Sequence, residues 1–249
     1  MTHEFEIRDE ITVDATPEQV WDAIATGPGV DAWFMGHSEF GTEVGARASM
    51  TMGGQTGHST ITAYEPGKRF AYRGDDNPDG TFMAFEYLIE GRDGGSTTVR
   101  FVHSGLLGDD WEAEYDALKH GDPMYLHQLA AYLKHFAGRT LKRSVFAVGP
   151  QEPDQQKVWS VFGDVLGLDG PIVEGAAVRL GVDGLERTDG VVEYVSTPHY
   201  VGVRNTDGLH LLMHGYQNTV VVEVHGYADG QAEDEQQAAW QGWLGTAFR

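Results

Sequence analysis

Apolar and polar residues alternate over positions 5–13. Phe5, Ile7, Ile11 and Val13 fall on one face, and Glu4, Glu6, Arg8, Glu10 and Thr12 on the other. A period of two predicts a strand buried on one side, with Asp9 as its inward polar exception. The period then lengthens. Thr16-Pro17-Glu18 precedes Val20, Trp21 and Ile24. Thr16 suits an N-cap, and Pro17 suits the first helical position, where its missing N–H costs nothing. A Gly27-Pro28-Gly29 turn and a second short helical piece ending at Trp33-Phe34 follow. Alternation returns from about 43 to 104. Ala46, Ala48, Met50 and Met52 share a face, as do Phe70 and Tyr72, then Met83, Phe85, Tyr87 and Ile89, then Val99, Phe101 and His103. Gly53-Gly54, Pro66-Gly67, Asn77-Pro78-Asp79-Gly80 and Gly94-Gly95 separate these runs as turns. An antiparallel meander with one wet face is expected. Asp122-Pro123 then reads as N-cap and first residue of a long helix carrying Leu126, Leu129, Ala130, Leu133 and Phe136, with Gly138 at its end.

The second half repeats this order. A strand is expected over 143–148 and a helix over 154–166, with Val158, Trp159, Phe162, Val165 and Leu166 on one side. Strands follow near 176–182, 190–196, 199–205, 209–216 and 218–227, and a last helix at about 231–247 carries Trp240, Trp243 and Leu244. Val20-Trp21 is echoed by Val158-Trp159, and residues 61–73 can be laid over 192–204. The organisation expected is two domains, 1–140 and a shorter, degenerate 141–249, separated by a linker near Gly149-Pro150. Valines 220, 222 and 224 should face inward, which turns His225 outward. Inward Val and Leu, with Trp240 and Trp243, should leave the second domain nearly solid.

The chain of 249 residues carries a net charge of −21, from 38 acidic against 17 basic side chains. That repels nucleic acid and anionic membrane surfaces, so neither is expected as a partner. Cysteine is absent, which excludes disulfides, thiolate metal sites and cysteine nucleophiles. With no apolar run long enough for a membrane span and no signal-peptide core at the N-terminus, the expected compartment is the cytoplasm.

Asp75–Glu86 satisfies the Ca²⁺-loop pattern through Asp75, Asn77, Asp79, Gly80 and Glu86. Strands rather than helices should flank it, and a hairpin loop uses the same residue types, so no metal is expected there. Gly27–Ala32 fits a dinucleotide-binding pattern but follows a helix, where no βα turn exists to cradle a pyrophosphate. His210 and His214 share a strand face and are expected to point to solvent, lacking a third ligand for zinc. His103 is the catalytic candidate. It should lie inward beside Phe101, with Tyr72, Tyr87 or Asp9 as partner, or else be a core histidine bonded to backbone.

The strand–helix–Gly/Pro–helix opening of Ile11–Phe34, the Pro66-Gly67 turn and the run TVRFVHSGL at 98–106 resemble the SRPBCC superfamily, the START-like helix-grip fold of the birch pollen allergen. The resemblance is greatest to the family named after the activator of the ninety-kilodalton heat-shock protein's ATPase. It implies an α+β fold of tandem helix-grip domains, each a curved antiparallel sheet wrapped around a long C-terminal helix. It also implies a small, largely apolar ligand in the N-terminal domain, with no cofactor. Trp33, Phe34, Met50, Met52, Phe70, Tyr72, Phe85, Tyr87, Phe101, His103, Leu129 and Leu133 are the expected lining. Two other classes fit the resemblance: an enzyme of the polyketide cyclase or hydrolase kind using His103, and a co-chaperone-type module that binds a protein partner.

Overall fold

In the computed structural model, which describes residues 1–249, the first alternating run becomes β1 (His3–Val13). Helix α1 (Pro17–Ala25) starts on a capping box. The Thr16 hydroxyl accepts from the Gln19 N–H at 3.3 Å, and the Gln19 side chain accepts from the Thr16 N–H at 2.9 Å. Gly27-Pro28-Gly29 is not a turn between helices but the first turn of α2 (Gly27–Asp31), capped by Thr26. Close approach dictates the glycines. A Cβ at Gly27 would stand 2.1 Å from the Ser38 carbonyl oxygen, and one at Gly29 would stand 1.8 Å from that of Asp22.

Six more strands follow: β2 (His37–Phe40), β3 (Arg47–Met52), β4 (Gln55–Glu65), β5 (Arg69–Gly74), β6 (Phe82–Gly91) and β7 (Thr97–Leu107). They form an antiparallel sheet in the order β1-β7-β6-β5-β4-β3-β2. Helix α3 (Trp111–His135) closes this unit, which spans Met1–Thr140. It starts at Trp111, well before the Asp122 start that the sequence suggests. Trp111, Tyr115 and Leu118 recur at helical spacing and pack on Phe5, Ile7 and Leu107, and that burial outweighs the break a proline usually marks. Pro123 therefore sits inside the helix. Its missing N–H deprives the Lys119 carbonyl of a helical partner at a position exposed to water.

The second unit, Leu141–Arg249, comprises β8 (Arg143–Gln151), α4 (Gln155–Val165), β9 (Ala177–Leu180), β10 (Thr188–Ser196), β11 (Tyr200–Asn205), β12 (Gly208–His214), β13 (Thr219–Gly226) and α5 (Glu233–Ala247). Its sheet order is β8-β13-β12-β11-β10-β9. The winding matches the first unit: the first strand lies beside the last, and the others step away from them in reverse chain order. One strand and the short second helix are missing. Gly149-Pro150 is not a linker but part of β8, where the pairing with β13 skips a register position. Proline is tolerated there because β8 is an edge strand. The connection between the units is instead the short run after α3, up to Lys142.

The edge of β8 is covered by α5. Gln237 exchanges two hydrogen bonds with the backbone of Phe146 (3.0 and 3.1 Å), Gln241 does the same with Val148 (3.3 and 2.6 Å), and Glu233 accepts from the Ser144 N–H at 2.8 Å. Four helical residues rise about 6 Å and two strand residues about 6.7 Å, so the two repeats keep step. An otherwise open edge is thereby satisfied within the unit.

Beneath this sheet, Val158, Phe162, Val201, Val222, Trp240 and Leu244 form a closely packed core. The unit is not solid throughout. A cleft of about 640 Å³ opens between α4, α5 and Val182, and a recess of about 230 Å³ lies beside Arg143, His210 and Trp240. His225 does lie on the face opposite the core valines, yet it is fully buried, 3.4 Å from Glu223. His210 and His214 do not face solvent. They flank the core residue Leu212, and the His214 Nε2–H donates to the Glu152 carbonyl at 2.8 Å. Leu212 pairs with Val222 and sets the parity of the strand, so both histidines turn inward with it.

Candidate functional site

Strand register assembles the expected lining into rows across the first sheet. Tyr72, Phe85, His103 and Ile7 are successive cross-strand partners, and Phe70, Tyr87, Phe101 and Asp9 form the next row. Ring contacts run through both. The Tyr72 and Phe85 centroids are 5.0 Å apart, Phe85 stacks on His103 at 4.3 Å, and Tyr87 meets Phe101 at 4.9 Å. Phe70, Tyr87, Phe101, His103, Leu129 and Leu133 are buried, and Tyr72, Phe85 and Phe34 partly so. Met50 and Met52 lie on the same face of β3 but are 37% exposed. Trp33 is buried, and its indole N–H donates to the Ala23 carbonyl at 2.9 Å, which ties the end of α2 to α1.

His103 is 2% exposed and has a partner that sequence reasoning missed. Its Nδ1 lies 3.0 and 3.2 Å from the two carboxylate oxygens of Asp122. Asp122 reaches it because Trp111, Tyr115, Leu118, Asp122, Tyr125 and Leu129 form one inward stripe of α3. Reading Asp122 as an N-cap hid the pair; the aromatic spacing upstream of Pro123 was the signal that could have revealed it. A carboxylate on Nδ1 holds the proton there and leaves Nε2 as an acceptor. That Nε2 is buried and has no partner.

A second polar group lies nearby. Asp9, next to Ile7's row, has a buried oxygen without a partner. Burial first, and the charge of Asp122 second, push its carboxyl above the usual range. The Tyr72 and Tyr87 hydroxyls are raised mainly by burial, and both also sense Asp122. The arrangement offers an acceptor on His103, a carboxyl on Asp9 inclined to hold its proton, and neutral phenols, all set among aromatic faces.

The acidic hairpin between β5 and β6 engages its carboxylates elsewhere. Asp75 makes a two-pronged pair with Arg47, Asp76 pairs with Arg73, Asp79 accepts from Thr81, and Glu86 pairs with Arg69 at 2.6 Å.

A sheet of this winding closed by a long terminal helix, with a polar pair set in an aromatic interior, defines a helix-grip protein of the SRPBCC superfamily. The chain belongs to its polyketide cyclase / dehydrase and lipid transport family, whose model matches residues 4–144. No curated protein matches the sequence. Among solved structures, the Aha1 dimer from Colwellia psychrerythraea is 23% identical with a TM-score of 0.44, over 52% of this chain and 96% of that one. A protein from Mesorhizobium loti is 22% identical with a TM-score of 0.46, over 52% and 96%. The di-domain ARO/CYC protein BexL of the BE-7585A biosynthetic pathway is 13% identical with a TM-score of 0.48, over 98% and 99%. Family membership rests on the family model. No helix is long and apolar enough to cross a membrane.

Proposed function

We propose that the first unit binds a small, largely apolar molecule between its sheet and α3, with a hydroxyl or similar donor of that molecule directed at His103. The observation that carries this is the buried Nε2 of His103, left without a partner while Asp122 holds Nδ1. Leaving a buried acceptor unsatisfied costs about 1–3 kcal/mol, and a ligand hydroxyl relieves that cost. Tyr72, Phe85, Tyr87 and Phe101 supply the apolar faces, and Leu129 and Leu133 the opposite wall. Met50 and Met52 form the adaptable, water-exposed end. The test is titration of the purified protein with an apolar fluorescent probe, alongside native mass spectrometry for a co-purified small molecule. Probe binding should be lost, or the unit strongly destabilised, in Phe85→Asp, because a charge is then placed against His103. A well-folded Phe85→Asp protein that binds the probe unchanged refutes the assignment.

The same pair favours a second reading, an enzyme of the polyketide cyclase or hydrolase kind. There His103 would remove or deliver a proton through Nε2, oriented by Asp122. Binding alone predicts that His103→Ala weakens the ligand by the loss of that one hydrogen bond and changes nothing else. Catalysis predicts that turnover disappears while ligand still binds. The co-chaperone reading is carried by no particular residue of this chain.

A further inference from the structure

The recess of about 230 Å³ in the second unit contains two groups that the fold leaves unused. Arg143, at the start of β8, donates through Nη1 to the Ala228 carbonyl, but its Nε is buried without an acceptor. It has no carboxylate partner, in a chain with 38 acidic residues. Its guanidinium lies against Gly226 and Gly230, where an added Cβ would come within 2.8 and 3.2 Å of it. Two glycines thus leave room for the guanidinium to lie flat. Across the recess, the Nδ1 of His210 is also buried without a partner. Leu180, Leu185, Val224 and Trp240 supply the apolar part of the wall, and Thr188, Asn205, Gln231 and Gln236 are among its polar residues.

We propose that this recess is a second binding site, for a small monocarboxylate with an apolar body, whose carboxylate is held by Arg143 and His210. An unpaired guanidinium offers the fork geometry that carboxylates match. His210 is a neutral imidazole at pH 7, its pKa lowered to about 4 by burial first and then by His225 and Arg143. It can therefore place its single proton on Nδ1 and donate. Trp240 and the leucines accept an aromatic or branched body. Three exposed carboxylates also line the recess, those of Glu186, Asp207 and Asp229. They repel multiply charged anions, which selects monocarboxylates over phosphate or citrate. This site uses no residue of the first unit and stands independently of the function proposed there.

Benzoate is the probe. Calorimetric titration of the full chain should show one benzoate site. Affinity should fall roughly tenfold or more in Arg143→Met, and in Arg143→Lys, which keeps the charge but loses the Nε–H. His210→Phe should weaken it also. Phosphate and citrate should bind roughly tenfold more weakly than benzoate. In the unaltered protein, nuclear Overhauser effects should connect the benzoate ring to the Trp240 indole, a readout that does not depend on any variant folding. Three outcomes overturn the proposal: no benzoate binding at millimolar concentration, no contact with Trp240, or phosphate or citrate binding as tightly as benzoate. Equal affinity in folded Arg143→Met and His210→Phe proteins overturns it as well.

Discussion

The two units wind their sheets identically but spend their interiors differently. The first places a carboxylate–imidazole pair and two phenols inside a wall of aromatic rings. The second fills the equivalent space with valine, leucine and Trp240, and ties its last helix to the sheet edge through Gln237 and Gln241. The difference begins in the helices. α3 has 25 residues and brings Asp122 to His103 on β7, whereas α5 has 15 and runs along β8. A helix spent on capping an edge braces the fold. A helix laid over the open face can deliver a side chain to a site. One winding thus supports two different interiors, with the aromatic and polar groups of the first unit under its last helix and the recess of the second unit beside its last helix at Trp240.

The largest expected effect separates the two interiors. Val222→Asp places a charge in the fully buried core of the second unit and should cost about 4 kcal/mol or more. Urea unfolding followed by separate probes should show the second unit melting early while the probe site of the first persists. Simultaneous loss of both would mean that the units form one cooperative domain and would dissolve the comparison.

Next in size is a pH effect confined to the second unit. His210 titrates at 6.5 when unfolded and at about 4 when folded, so between these values the unfolded chain holds more protons. Stability is then full above pH 6.5 and is lost as pH falls towards 4, by on the order of 3 kcal/mol. His210→Gln should flatten the curve of melting temperature against pH over that window.

The edge covering should be worth less. Gln241→Ala removes both bonds to Val148 and should cost roughly 1 kcal/mol, read as a lower denaturation midpoint and faster amide exchange at Val148. No change at that amide would show that water serves the edge equally well.

Smallest is the effect of Asp9. Its folded carboxyl titrates above the unfolded value of 3.8, so the folded chain holds more protons over that interval. Stability is therefore undiminished below pH 3.8 and declines as pH rises through the folded value. Asp9→Asn should raise stability at pH 7 by less than about 1 kcal/mol, because the group is partly solvated. That gain should vanish near pH 3.

Much of this architecture can be read without coordinates. The period-two runs place β1 and the meander strands, Thr16 and Asp154 mark helix starts, and the second half shows the same element order. These are local properties, set by backbone geometry and by which face of an element is apolar. The inward position of His103 follows from the same parity. Its partner does not, since Asp122 becomes an inward residue only once α3 is seen to begin at Trp111 and run through Pro123. A proline marks a helix start in isolation, and burial of Trp111, Tyr115 and Leu118 against β1 and β7 overrides it. His210 and His225 show the same limit. Alternation tells which residues of a strand share a face, but whether that face meets water or packed side chains is decided by the rest of the fold, and with it, at His210, the charge of the imidazole.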